Sequence, residues 1–118
     1  MTAPMTDGWT GTLISAIGRT PVVELKRLFA NDRGIRVLAK LELLNPGGSA
    51  KDRPALRLLR EAYRAGRIGP GSTIVESSSG NTAISLAMIC AQWDMRLICV
   101  VDPRTAEANL AMLKALGA

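Results

Sequence analysis

Residues 73 to 101 read TIVESSSGNTAISLAMICAQWDMRLICVV, and this stretch decides the fold. Thr73 to Glu76 has the β-branched character of a short strand, and Arg96 to Val101 is nearly all apolar, as expected when helices cover both faces of a strand. Between them the polar loop Ser77 to Asn81 opens a strongly apolar helix from Thr82 to about Trp93. A strand, a helix and a second strand in this order predict parallel neighbours joined by a right-handed crossover.

The pattern extends in both directions. Upstream, Arg36 to Glu42 (RVLAKLE) alternates apolar and basic residues and predicts another strand. Asn45 to Ser49 (NPGGS) breaks the chain. Ser49 to about Ala65 then carries apolar residues at helical spacing: Ala55, Leu58, Leu59, Ala62 and Tyr63. Downstream, Asp102-Pro103 ends the apolar strand, Thr105 can cap a helix from Ala106 to Leu116, and Gly117 stands where a left-handed residue closes a helix. The expected fold class is α/β: a parallel sheet with helices on both faces, in three layers. The first 35 residues are weakly patterned, with a short helix near Thr12 to Ile17 and an extended Pro21 to Leu25. The expected division is an N-terminal segment, 1–35, that would belong to a larger domain, and an incomplete small α/β domain, 36–118. The last Gly would hand the chain to a fourth strand, so the expectation is the N-terminal part of a longer protein.

Composition narrows the chemistry. The 118 residues hold 15 Lys and Arg against 10 Asp and Glu, a net charge of +5, with two Cys and no His. Without His there is no imidazole base, no Ser-His-Asp or Cys-His pair and no His-ligated metal. No apolar run is long enough to cross a bilayer, and no basic leader precedes an apolar segment, so a cytoplasmic protein is expected. Cys90 and Cys99 lie in apolar runs and read as buried free thiols. Trp9, Trp93, Met88 and Met112 read as packing residues.

Two segments carry chemistry. In Asn45 to Arg53 (NPGGSAKDR) the spacing excludes a phosphate loop, because Ala50 and Asp52 flank the Lys where that loop needs Gly and Ser or Thr. What remains is Lys51 in the first turn of a helix. There the positive helix end and Arg53 favour a neutral amine, the form that attacks an aldehyde. The same pattern also fits a solvated lysine with Asp52 completing the cap. In Glu76 to Thr82 (ESSSGNT), hydroxyls, a Gly and a helix start suit a carboxylate or phosphate; an ordinary polar turn fits as well. Both segments follow the C-terminal ends of predicted parallel strands, where α/β sheets bind ligands. A lysine and an anion cradle facing one crevice suggest an amino-acid substrate held by its carboxylate, with pyridoxal phosphate as electron sink.

Ile17 to Pro21 (IGRTP), Lys40 to Arg53 (KLELLNPGGSAKDR) and Ser78 to Thr82 (SSGNT) resemble, in order and spacing, the cysteine synthase and cystathionine β-synthase family of fold-type II pyridoxal-phosphate (PLP) enzymes. The resemblance implies that Lys51 holds pyridoxal 5'-phosphate as a Schiff base and acts as the base at Cα, and that Asn81 hydrogen-bonds the cofactor's 3′ oxygen. It implies that Ser78, Ser79, Gly80, Asn81 and Thr82 receive the substrate α-carboxylate. NPGGSAKDRPA and CVVDPR look closest to the branch that makes a 2,3-diaminopropionate precursor, of the kind used in siderophore biosynthesis, from O-phosphoserine and an amino donor. Sulfhydrylation of O-acetylserine to cysteine is the near alternative, and both pass through aminoacrylate. Ala83 stands where the family often has Gly. The family's glycine-rich phosphate loop belongs to a later region, so this chain alone is expected to bind the cofactor weakly and turn over little. A homodimer is implied for the full-length form.

Two other readings compete. Arg53, Arg57, Arg60, Arg64 and Arg67 form a stripe that could meet nucleic acid, but Tyr63 is the sole aromatic beside it. A solvated face in which Glu61 pairs Arg57 or Arg64 accounts for it better. A truncated, non-catalytic chain that docks through its open sheet edge is the second.

Overall fold

The computed structural model describes residues 12–27 and 33–118. Trp9 and most of the expected N-terminal segment's first third lie outside them. The elements in chain order are β1 (Val22–Glu24), β2 (Leu38–Lys40), α1 (Asp52–Arg64), β3 (Thr73–Ser77), α2 (Asn81–Gln92), β4 (Arg96–Val100) and α3 (Glu107–Ala115). Short 3-10 turns at Leu13–Ala16 and Glu42–Leu44 precede β1 and follow β2.

The decisive stretch folds as its pattern predicts. β3 and β4 are parallel neighbours in the register Thr73↔Arg96 to Ser77↔Val100, joined through α2. The helix is apolar nearly all round because it is buried nearly all round: Ala83, Leu86, Ala87, Met88, Ile89 and Cys90 are all in the core. α1 packs on α2 through Ala55 and Leu59, and Ile14 and Leu113 close the cluster from the two chain ends. Tyr63 meets Trp93 edge to face, with ring centroids 6.1 Å apart.

The predicted strand Arg36 to Glu42 is shorter and has a different partner. β2 pairs antiparallel with β1, in the register Val22↔Lys40 to Glu24↔Leu38, and the described residues form two two-stranded sheets. A three-strand parallel sheet is therefore not what this chain shows. Alternation marks a strand without naming its neighbour, and the extended Pro21 to Leu25 segment supplied a local one. The expectation of two covered faces is also corrected for β3 and β4. α2 covers one face, whereas Val75, Ile98 and Val100 on the other are 63%, 54% and 57% exposed.

Smaller corrections follow from the same geometry. Leu58 and Met112, read as core, are 60% and 49% exposed. Thr105 does not cap α3. Its hydroxyl donates to the Asp102 carbonyl, and Ala106 occupies the cap position without a side-chain bond. Gly117 does adopt the left-handed conformation, at φ 88°. Both cysteines are free, with Cys90 buried and Cys99 half-buried. Burial pushes the Cys90 thiol up to about 11, with Cys99 adding to the shift.

Candidate active site

The segment from Asn45 to Arg53 folds as a tight polar turn in which each side chain has a defined task. Asn45 is buried. Its Oδ1 accepts the Gly18 N–H at 2.8 Å, and its Nδ2 donates to the Glu42 carbonyl (2.9 Å), Glu42 Oε2 (2.9 Å) and the Ser49 carbonyl (3.1 Å). Gly48 supplies the left-handed residue of the turn, at φ 81°. Gly47 is required for a different reason: a β-carbon there would overlap the Asp52 carboxylate.

Lys51 stands at the N-cap of α1, exposed to solvent, with its backbone N–H donating to Ser49 Oγ at 3.1 Å. Its side-chain amine makes no hydrogen bond or ion pair among the described residues. Lys40, by contrast, donates to the Thr20 carbonyl at 2.9 Å and lies 4.0 Å from Glu42. Asp52 does not complete the helix cap. It is fully buried, and its carboxylate accepts the Gly47 N–H at 2.6 Å and the Ser85 hydroxyl at 2.5 Å. Arg53 places its charge on Glu42, through Nε and Nη2 at 2.8 Å each, so it is not the free cation beside Lys51 that the sequence suggested. That guanidinium, first, and then the Thr20 hydroxyl hold the Glu42 carboxyl down at about 2, against an ordinary 4.5.

The second segment leaves the C-terminal end of β3. Ser78, Ser79 and Gly80 are half-buried, and α2 begins at Asn81. The Gly80 cap has no side-chain acceptor behind it, so the first-turn N–H groups of α2 stay available to an anion. The side chains of Ser79, Asn81 and Thr82 make no hydrogen bonds among the described residues; Ser78 Oγ receives only the long Gly80 N–H contact, at 3.4 Å. α3 steadies the loop from outside, where Asn109 Nδ2 donates to the Ser79 carbonyl at 3.0 Å.

The Asp52–Ser85 bond joins the two segments. Ser85 lies four residues into α2 from Asn81, about 6 Å along the helix axis. The start of α1, with Lys51, is thereby fixed beside the first turns of α2. Sequence reasoning picked out Lys51 and the loop, read Asp52 only as a cap residue, and gave no role to Ser85, Asn45, Glu42 or Asn109. Ser85 had one visible signal: it is the polar residue interrupting the apolar run Ala83 to Ala91.

A family model described as pyridoxal-phosphate dependent enzyme matches residues 13–118. The chain belongs to that family. It is 50% identical over 107 residues to the N-(2-amino-2-carboxyethyl)-L-glutamate synthase of Cupriavidus metallidurans, across 91% of this chain and 31% of the relative. Its structure resembles that of an O-ureido-L-serine synthase with a TM-score of 0.84 and 38% identity, over 90% of this chain and 33% of the other. It also resembles the O-acetylserine dependent cystathionine beta-synthase of Helicobacter pylori, with a TM-score of 0.79 and 40% identity, over 92% and 36% of the two chains. The chain thus spans about a third of the length of these relatives.

The residues present fit the family's cofactor in two respects. An aldehyde needs an uncommitted amine, and Lys51 has one at the mouth of a glycine turn. An anionic group needs N–H donors and hydroxyls, and the uncapped start of α2 offers both.

Proposed function

We propose that Lys51 covalently holds pyridoxal 5'-phosphate and is the base at Cα in a β-replacement on an O-activated L-serine. Asn81 donates to the cofactor's 3′ oxygen, and Ser78, Ser79, Gly80, Asn81 and Thr82 receive the substrate α-carboxylate. Bound cofactor supplies an electron sink for negative charge at Cα. The chain's residues do the rest. The Lys51 amine, freed when the substrate amine takes its place, would take the Cα proton and return it, work that a chain without His must assign to another base. The loop and the positive end of α2 fix the carboxylate, so that Cα faces that amine.

The name of the Cupriavidus relative indicates the finer reaction. The Cβ–O bond of the activated serine breaks, releasing phosphate or acetate, and a Cβ–N bond forms to the amine of L-glutamate. The product carries a 2,3-diaminopropionate unit. The observation that carries this reading is the uncommitted Lys51 amine beside an uncapped α2.

Borohydride reduction of the chain mixed with pyridoxal phosphate, followed by peptide mass analysis, tests it. The label is expected on Lys51, and Lys51→Ala is expected to abolish it. A label spread evenly over Lys26, Lys40, Lys51 and Lys114 overturns the assignment. O-phosphoserine and O-acetylserine, each offered with L-glutamate or sulfide, then identify the leaving group and the nucleophile by product mass. Turnover by the 118-residue chain alone is expected to be slight.

A further inference from the structure

The Asp52 carboxylate is a fully buried charged group with no part in the chemistry proposed above. Its two hydrogen bonds go to different parts of the site. One oxygen accepts the Gly47 N–H at 2.6 Å, from the turn that leads into Lys51, and the other accepts the Ser85 hydroxyl at 2.5 Å, from the helix that the substrate loop opens. Neither donor belongs to the helix that Asp52 begins, so the group does not serve as an ordinary cap. Gly47 has been kept bare for it, since any β-carbon there would overlap the carboxylate. Ser85 is the fully buried hydroxyl of an otherwise apolar helix core, a placement that costs free energy unless its bond is made.

We propose that Asp52 is a positioning residue: with Ser85 and Gly47 it ties the lysine turn to α2 and so sets Lys51 against the Ser78 to Thr82 loop. This rests on the Lys51 assignment proposed above, and the test separates the two. The peptide joining Lys51 to Asp52 moves with a carboxylate that is clamped from two sides. The amine, free at its tip, inherits a fixed base. Ser85 can either donate or accept, so an Asn at position 52 keeps the tie by accepting from Gly47 and donating to Ser85.

Two readouts are needed, on the full 118-residue chain. The first is amide hydrogen exchange without cofactor, for Asp52→Ala, Ser85→Ala, Asp52→Asn and the double variant Asp52→Asn, Ser85→Ala. Loss of the tie is expected to speed exchange at Gly47 and Lys51 by about tenfold, with β3 and β4 changed by less than about twofold, as for local opening. Asp52→Asn alone is expected to behave as the wild type; the double variant keeps the Gly47 bond but loses the link to α2, so that the turn opens more readily and both amides exchange faster. Because the double variant leaves no unpaired buried charge, it decides the matter even where Ser85→Ala or Asp52→Ala does not fold. The second readout is the share of borohydride-trapped pyridoxal phosphate on Lys51 against Lys26, Lys40 and Lys114. It is expected to fall with the tie and to be kept in Asp52→Asn.

Unchanged exchange at Gly47 and Lys51 in the double variant overturns the proposal. So does faster exchange that extends equally to β3 and β4, which marks a residue serving general stability. Preferred Lys51 labelling that survives loss of the tie also overturns it, while leaving the lysine assignment standing. Even labelling in the wild type removes the lysine assignment, and the exchange result then still decides whether the tie exists.

Discussion

Glu42 collects more partners than any other side chain near the site: Arg53 through two nitrogens, Thr20 at 2.5 Å, Asn45 at 2.9 Å and Lys40 at 4.0 Å. Arg53 closes the arrangement by also reaching Thr20 at 3.2 Å, and one of its nitrogens lies 3.1 Å from where a Gly18 β-carbon would be. Residues from two separate motifs of the sequence, Ile17 to Pro21 and Lys40 to Arg53, thus share one hydrogen-bonded knot. The folded carboxyl is held at about 2, below its ordinary 4.5. A depressed carboxyl stabilises the fold above its unfolded value, and that contribution disappears as pH falls through the folded one. The stability gap between wild type and Arg53→Ala is therefore expected to be full above pH 4.5 and to shrink between there and pH 2. Urea midpoints measured across that range check it; a gap independent of pH would place the effect of Arg53 in packing. The knot was legible in the sequence only as motif residues. Their spacing along the chain says nothing of Thr20 meeting Glu42 across 22 residues or Arg53 across 33.

At the scale of elements, α1 shows what periodicity can and cannot resolve. Ala55, Leu58, Leu59, Ala62 and Tyr63 all fit a helical stripe, yet Leu59 is 2% exposed and Leu58 60%. Adjacent residues on a helix point about 100° apart, so one of the two leucines had to leave the buried face once α2 fixed its centre at Ala55 and Leu59. Leu59→Ala is expected to cost about 2 to 5 kcal/mol and Leu58→Ala less than about 0.5 kcal/mol, by chemical denaturation. Equal costs would mean that α1 sits differently on α2. The arginine stripe also divides by partner. Arg53 is committed to Glu42, while Arg57 and Arg64 share Glu61 at 3.2 and 3.7 Å, as the solvated-face reading has it. The crossover from β3 through α2 to β4 was readable because each strand is bounded by polar loops and the helix between them is long and apolar. β2 misled because a short alternating strand pairs with whichever extended segment lies nearest, and β1 lies nearest in sequence.

Across the whole molecule, the apolar content of β4 exceeds what this chain buries. Leu97 is 5% exposed against α2, but Ile98 lies opposite Val75 in the parallel register, and with Val100 the pair forms a bare apolar face. A strand's hydropathy records the environment it was selected for, and this chain spans about a third of the relatives it matches. Exposed apolar surface of this kind promotes association in water. Ile98→Lys is therefore expected to lower self-association of the chain, read by sedimentation at rising concentration, and to reduce binding of a hydrophobic dye. Because the residue is already 54% exposed, the change in folding stability should stay within about 0.5 kcal/mol. Leu97→Lys, one residue away on the same strand, puts a charge into the α2 interface and is expected to unfold the chain. Labelling of Lys51 should be indifferent to Ile98→Lys, since the bare face lies opposite the one on which α2 packs and the proposed tie acts from the α2 side. A loss of labelling with Ile98→Lys would mean that the two sides of the β3 and β4 sheet are coupled, and that the lysine turn depends on more than its tie to α2.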